Sequence, residues 1–168
     1  MLALAAFAVP ALAADPPGTP SAEKQCRDQR TQMTASVFKD AWGTNKNKSN
    51  AFGKCVSKTA KTLDQNASEA KSSCKTEQAA DPEAFKNKYG TNKNKSNAYG
   101  KCVSALAKAA DQSDQKATIN AAKQCKDERK ADAAAFKDKY GTNKNKRNAF
   151  GKCVSAIAKA QQDAQPSS

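Results

Sequence analysis

The chain has 168 residues and no histidine. That removes the side chain most often used as a proton shuttle near neutral pH, and a common zinc ligand. Large apolar residues are also scarce. Leu, Ile, Val and Phe total 18, and five of these lie in the first 13 residues, leaving 13 from Ala14 onward. With a net charge of +13, such a composition falls in the range typical of disorder. Beyond the first 13 residues no stretch is apolar enough to cross a bilayer, and that first run is too short to do so.

What is present opposes disorder. Alanine is abundant and favours helix. Six cysteines, an even number, suit an oxidising compartment and can supply the stability that a thin core lacks. The opening run MLALAAFAVPALA reads as a secretory signal peptide over 1–13, closed by Ala11-Leu12-Ala13. No Lys or Arg precedes it, so the precursor is expected to begin upstream of Met1. A Pro-rich linker, ADPPGTPS, follows over 14–21.

One block of 20 residues occurs three times: FKDAWGTNKNKSNAFGKCVS from Phe38, FKNKYGTNKNKSNAYGKCVS from Phe85 and FKDKYGTNKNKRNAFGKCVS from Phe136. The last two agree at 17 of 20 positions. Each block carries a cysteine and has a second one upstream, at spacings of 29, 28 and 28 positions. Three units follow, 22–57, 67–104 and 117–155, with a polar tail over 161–168. Their period of 47 to 51 residues suggests a helical array.

Each unit reads as helical. Phe38 and Trp42, Phe85 and Tyr89, and Phe136 and Tyr140 stand four apart on one helix face. Gly43, Gly90 and Gly141 follow as C-terminal cap signals. In the Asn/Lys loop beyond, Asn and Ser suit turns and the next N-cap. Tyr99, Cys102, Val103 and Leu106 then make a helical stripe, as do Phe150, Cys153, Val154 and Ile157. The first copy has Thr59 where the others have Leu or Ile. Long helices without Gly or Pro could link the units, although Asn66 with Glu69 resembles a capping box that would break the first linker.

Cysteine pairing follows from reach. Cys55 and Cys74, on one unbroken helix, would lie roughly 28 Å apart, and Cys102 and Cys125 roughly 34 Å. Bonded cysteines need Cα atoms within about 7 Å. The expected pairs are Cys26–Cys55, Cys74–Cys102 and Cys125–Cys153. They require a bend before each aromatic pair. Asp81-Pro82 supplies one, with Asp as cap and Pro at the first helical position, and Asp132 and Thr34 hold the matching places. The fold class is therefore all-α: three tandem disulfide-stapled units, each a helix, a short helix, the loop and a third helix.

The repeated loop is the main functional candidate. Between Gly43, Gly90 or Gly141 and the following cysteine lie ten cations and no acid. Each loop feeds a helix N-terminus, where free N–H groups favour anions. Gly53, Gly100 and Gly151 sit in the first turn, where glycine costs helix stability unless a backbone approaches closely. The candidate anion-binding residues are Lys46, Lys48, Lys93, Lys95, Lys144, Lys146 and Arg147. The bland alternative is a solvated tight connection in which glycine makes room for packing.

Other chemistry fits poorly. Asn45, Asn47 and Ser49 alternate like calcium-loop oxygens, but lysines interleave and no acid closes the loop. No metal and no cofactor is expected. The Gly-Lys pairs at Lys54, Lys101 and Lys152 lack the strand, glycine spacing and hydroxyl of a nucleotide loop. Glu77 with Asp81 and Glu128 with Asp132 could do acid–base work, but capping and ion pairing are the simpler roles. The aromatics could stack on bases or sugars, yet in so lean a chain they are needed for the core. Asn47, Asn66 and Asn94 begin glycosylation sequons, which matter only in a eukaryotic secretory pathway.

The block YGTNKNKSNAYGKCVS, with an upstream CKxE, resembles repeats in uncharacterised secreted proteins of soil actinobacteria. The resemblance spans all three units and implies export and repetition. It transfers no activity and no functional residue. The function expected is non-enzymatic binding of a polyanion outside the membrane: a cell-wall polymer, nucleic acid or an anionic lipid surface. The rival is a structural spacer or envelope component whose charge only maintains solubility.

Overall fold

Helix breaks at the short-helix junctions and at the loops define the architecture, described here by a computed structural model over residues 20–164. The expected signal peptide over 1–13, most of the expected Pro-rich linker and the last four residues of the tail lie outside the described residues. Among the described residues seven helices run α1 Ala22–Met33, α2 Ala35–Trp42, α3 Ala51–Ala80, α4 Pro82–Tyr89, α5 Ala98–Ala131, α6 Ala133–Tyr140 and α7 Ala149–Asp163. The chain is all-α, and the third helix of one unit continues as the first helix of the next. Stretches 58–66 and 105–116, between the units, are thus helical, as is the start of the tail through Asp163.

The short-helix junctions form as their residues dictate. Asp81 caps α4 by accepting from the Ala84 N–H at 2.9 Å, with Pro82 at the first helical position. Asp132 caps α6 by accepting from the Ala134 and Ala135 N–H groups, both at 2.9 Å. Thr34 does not act as expected. It makes no side-chain cap and adopts φ 68° and ψ 153°, a region that β-branched residues avoid. The first copy carries one extra residue between Cys26 and Phe38, visible as the cysteine spacing of 29 rather than 28, and the positive φ falls within this stretch.

The three disulfides, Cys26–Cys55, Cys74–Cys102 and Cys125–Cys153, each hold Cα atoms 6.0 Å apart and link the outer helices of a unit. They set neighbouring long helices antiparallel, with α3 and α7 on either side of α5. Phe38, Phe85 and Phe136 anchor the units, each at most 2% exposed. In the second and third units a clamp holds the short helix. Glu77 accepts from Lys88 Nζ at 2.7 Å and from Tyr89 OH at 2.9 Å, and Glu128 does the same with Lys139 and Tyr140 at 2.8 and 2.9 Å. In the first unit, where Gln29 and Trp42 hold these places, the buried Thr59 hydroxyl sits 3.5 Å from the Cys26 sulfur.

The expected break at Asn66 is absent. Asn66 lies buried in the middle of α3, and its Nδ2 donates to Asp111 Oδ1 and Asp114 Oδ2 of α5, both at 2.8 Å. A tertiary contact, and not a capping box, accounts for this residue.

The units do not pack equally. The first and third share one core, in which Met33, Val37 and Phe38 meet Ile119, Phe136, Phe150 and Val154. The second unit has its own smaller core around Phe85, Val103 and the Cys74–Cys102 bridge. The closure between the first and third units uses residues at which the copies differ. Ala41 stands where the others carry Lys88 and Lys139, and its carbonyl would lie 2.9 Å from a Cβ on Gly151. Arg147 stands where the others carry Ser49 and Ser96, and its guanidinium donates to the Lys46 carbonyl at 2.6 Å. Arg129 donates to Asp40 at 2.6 Å and lies over the Phe150 ring at 4.5 Å.

Candidate functional site

Each loop closes on itself through the same side chains. Asn50 Oδ1 accepts from the Thr44 and Asn45 N–H groups at 3.0 and 3.4 Å, and its Nδ2 donates to Thr44 Oγ1 at 2.8 Å. Asn97 and Asn148 repeat this in the other copies. These asparagines stand at the N-cap position, but their side chains clamp the loop and do not cap the helix. Asn47, Asn94 and Asn145 each accept from the N–H two residues on at 3.2 Å. The asparagines are therefore the loop's internal scaffold.

The glycines cap the short helices as expected, the Gly43, Gly90 and Gly141 N–H groups donating to the Lys39, Lys86 and Lys137 carbonyls at 2.8 Å. Gly43, Gly90 and Gly141 have φ near −74°, which any residue adopts. Glycine is needed there for space, because a Cβ would run into Lys48, Lys95 or Lys146. Those three lysines hold the left-handed positions, with φ of 56°, 54° and 53°. Lys48 Nζ then turns back to Asp40 at 2.6 Å, Lys95 to Asn87 and Lys146 to Asp138. Partial burial pushes the Asp40 carboxyl up, but hydrogen bonds from Lys48 and Arg129 outweigh it and hold the group below the usual aspartate range.

Of the seven expected anion-binding residues, Lys48, Lys95 and Lys146 thus serve the loop, and Arg147 serves the closure between units. Lys46, Lys93 and Lys144 are exposed, with no acidic partner among the described residues. The loops do not form an evenly spaced row. Those of the first and third units touch through Arg147 and Lys46. Lys93 and Lys95 precede the other end of α5, a helix of 34 residues and so about 51 Å long.

The first and third loops open onto a groove of about 1220 Å³. Its walls are α3 and α7, which nowhere approach within 8 Å Cα–Cα among the described residues, and α5 lies between them. Lys54, Lys58, Lys152 and Lys159 line it beside Lys46 and Arg147, none with an acidic partner among the described residues. Lys58 stands 5.6 Å from the Trp42 ring centroid. Further along the groove lie Glu69, Asp111, Asp114 and Asp163. Asn66, which orients Asp111 and Asp114, is 15 residues into α3, about 22 Å from the loop end. The groove is therefore mostly basic at its loop end, where Asp40 is paired with Lys48 and Arg129, and richer in carboxylates toward its far end.

Sequence reasoning missed Lys58 and Lys159 as groove residues. A signal existed: Lys54 with Lys58, and Lys152 with Lys159, share a helix face by spacing. That the two faces oppose each other depends on packing between units. The carboxylates considered for acid–base work are occupied. Glu77 and Glu128 are held below the usual range by hydrogen bonds from Lys88 and Lys139, and Asp81 and Asp132 cap. Lys88 is correspondingly pushed up to about 12 by Glu77. Among the described residues no group of three or more potential metal ligands occurs, and no helix is long and apolar enough to cross a membrane. No family model, curated protein or solved structure matches the chain.

Proposed function

We propose that this is an exported, non-enzymatic binding protein that holds an anionic polymer outside the cytoplasm. The three disulfides favour an oxidising compartment, and the apolar first 13 residues fit export. The observation that carries the reading is the convergence of Lys46, Lys54, Lys58, Arg147, Lys152 and Lys159 from two units on one groove, without acidic partners. Cations gathered in a concave site focus the field on an incoming anion. Lys93 and Lys101 of the second unit give a weaker, separate contact whose tethering to the first raises overall avidity.

Retention on an immobilised polyanion, measured against salt, tests this. Replacing Lys46, Lys54 and Lys152 by Gln together is expected to reduce the salt slope by about two to three, since each neutralised contact contributes about 0.9. The corresponding change at Lys93 and Lys101 is expected to have the smaller effect. If neither set alters retention, the lysines only keep the protein in solution, and the spacer reading replaces this one.

A further inference from the structure

The groove carries more information than its charge. At about 1220 Å³ it exceeds the usual 300–1,000 Å³ of a small-ligand pocket, so a chain segment fits it better than a single small molecule. Its charge is uneven along its length, with most lysines toward the loops and Glu69, Asp114 and Asp163 toward the far ends of α3 and α7. A polymer charged at every unit would bring anions against those carboxylates. A flat bilayer cannot enter a concave site. Between the charged ends the lining is rich in side-chain amides and hydroxyls, and Trp42 is the chain's one tryptophan.

Several of these amides are unengaged. Gln65 and Gln115 face the groove with no side-chain partner among the described residues. Asn143 is more informative. In the other copies the equivalent asparagine donates to a serine, Asn45 to Ser49 at 2.9 Å and Asn92 to Ser96 at 3.0 Å. In the third copy Arg147 replaces that serine, and the Asn143 side chain is released at the groove. The substitution that closes the first unit on the third therefore also frees a hydrogen-bonding group in the groove. The Trp42 indole N–H is buried beside the groove without an acceptor among the described residues.

We propose that the groove binds an acidic oligosaccharide, with its anionic substituents at Lys46, Lys54, Arg147 and Lys152. Its hydroxyls lie along Gln65, Gln115 and Asn143. A hydroxyl both donates and accepts, so a glycan satisfies amides and carboxylates alike. This rests on the polyanion reading and names the ligand class for the same site.

The experiment is a titration followed by the emission of Trp42, using the intact oxidised protein. The probes are hyaluronan oligosaccharides, whose carboxylates alternate with neutral sugars, inorganic polyphosphate of equal total charge, and a neutral maltooligosaccharide. Hyaluronan oligosaccharide is expected to bind about tenfold tighter than polyphosphate and to shift the emission. Gln115→Ala and Asn143→Ala are each expected to weaken hyaluronan binding about fivefold, the worth of one hydrogen bond, and to leave polyphosphate binding unchanged. Polyphosphate binding as tightly as hyaluronan, or amide variants without effect, overturns the glycan assignment while the polyanion reading stands. Equal binding of the neutral sugar overturns the need for an acidic group. If no anionic probe binds, both readings fall.

Discussion

One substitution made at three equivalent positions has two opposite local outcomes here. Glycine occupies the first helical turn at 53, 100 and 151, and a helical glycine costs about 0.5–1 kcal/mol relative to alanine. A Cβ at Gly53 or Gly100 meets nothing within 4 Å, whereas at Gly151 it meets the Ala41 carbonyl. Gly53→Ala and Gly100→Ala are therefore expected to stabilise the protein by about that amount, and Gly151→Ala to destabilise it. Urea titrations of the three variants compare the signs directly. Thr34 offers a complementary test. Thr34→Gly is expected to raise stability by about 1 kcal/mol, because it relieves a positive φ at a β-branched residue. At Asp40 the same scale sets an acid response. Its carboxyl titrates lower when folded, so its contribution is complete above the ordinary aspartate range near pH 4 and is lost as pH falls through the lower folded value. Asp40→Asn is expected to be less stable at neutral pH and to show a flatter loss of stability across that acid interval.

At the scale of elements, the disulfides and their surroundings decide local robustness. Each bridge closes a span of 28 or 29 residues, worth about 3–4 kcal/mol in the chain-entropy account. The second unit depends most on its own, since its core is small and, among the described residues, separate from that shared by the other two. Replacing Cys74 and Cys102 by Ser is expected to strip hydrogen-exchange protection from α4 and the start of α5, while α2 and α6 keep theirs. Uniform loss across all helices would contradict a separate second core. Elements governed by neighbours in sequence were legible in advance. Reach fixed the cysteine pairs, and Asp81-Pro82 announced its own helix start. Asn66 misled because its partners, Asp111 and Asp114, lie 45 and 48 residues away. The loop glycines announced the helix ends, but not why glycine is needed there. Their role is spatial, and the left-handed backbone falls on Lys48, Lys95 and Lys146, residue types that carry no such signal.

For the whole molecule, the governing event is closure of the first unit on the third. The repeat invites a picture of three equivalent modules in a row, each offering the same basic loop. The structure instead brings the loops of the first and third units together and leaves that of the second at the far end of α5. The marks of this were in the sequence as departures from the repeat, Ala41 and Arg147 above all. Their meaning required knowing what they face. The groove was not legible for the same reason, since its walls belong to helices from different units. Lysine-reactive cross-linking of the native oxidised monomer, read by mass spectrometry, tests this closure most directly. Links from Lys46 to Lys144 and Lys152 are predicted, with none from Lys93 to any of the three. Abundant links from Lys93 to Lys144, or no link between the first and third loops, would contradict it.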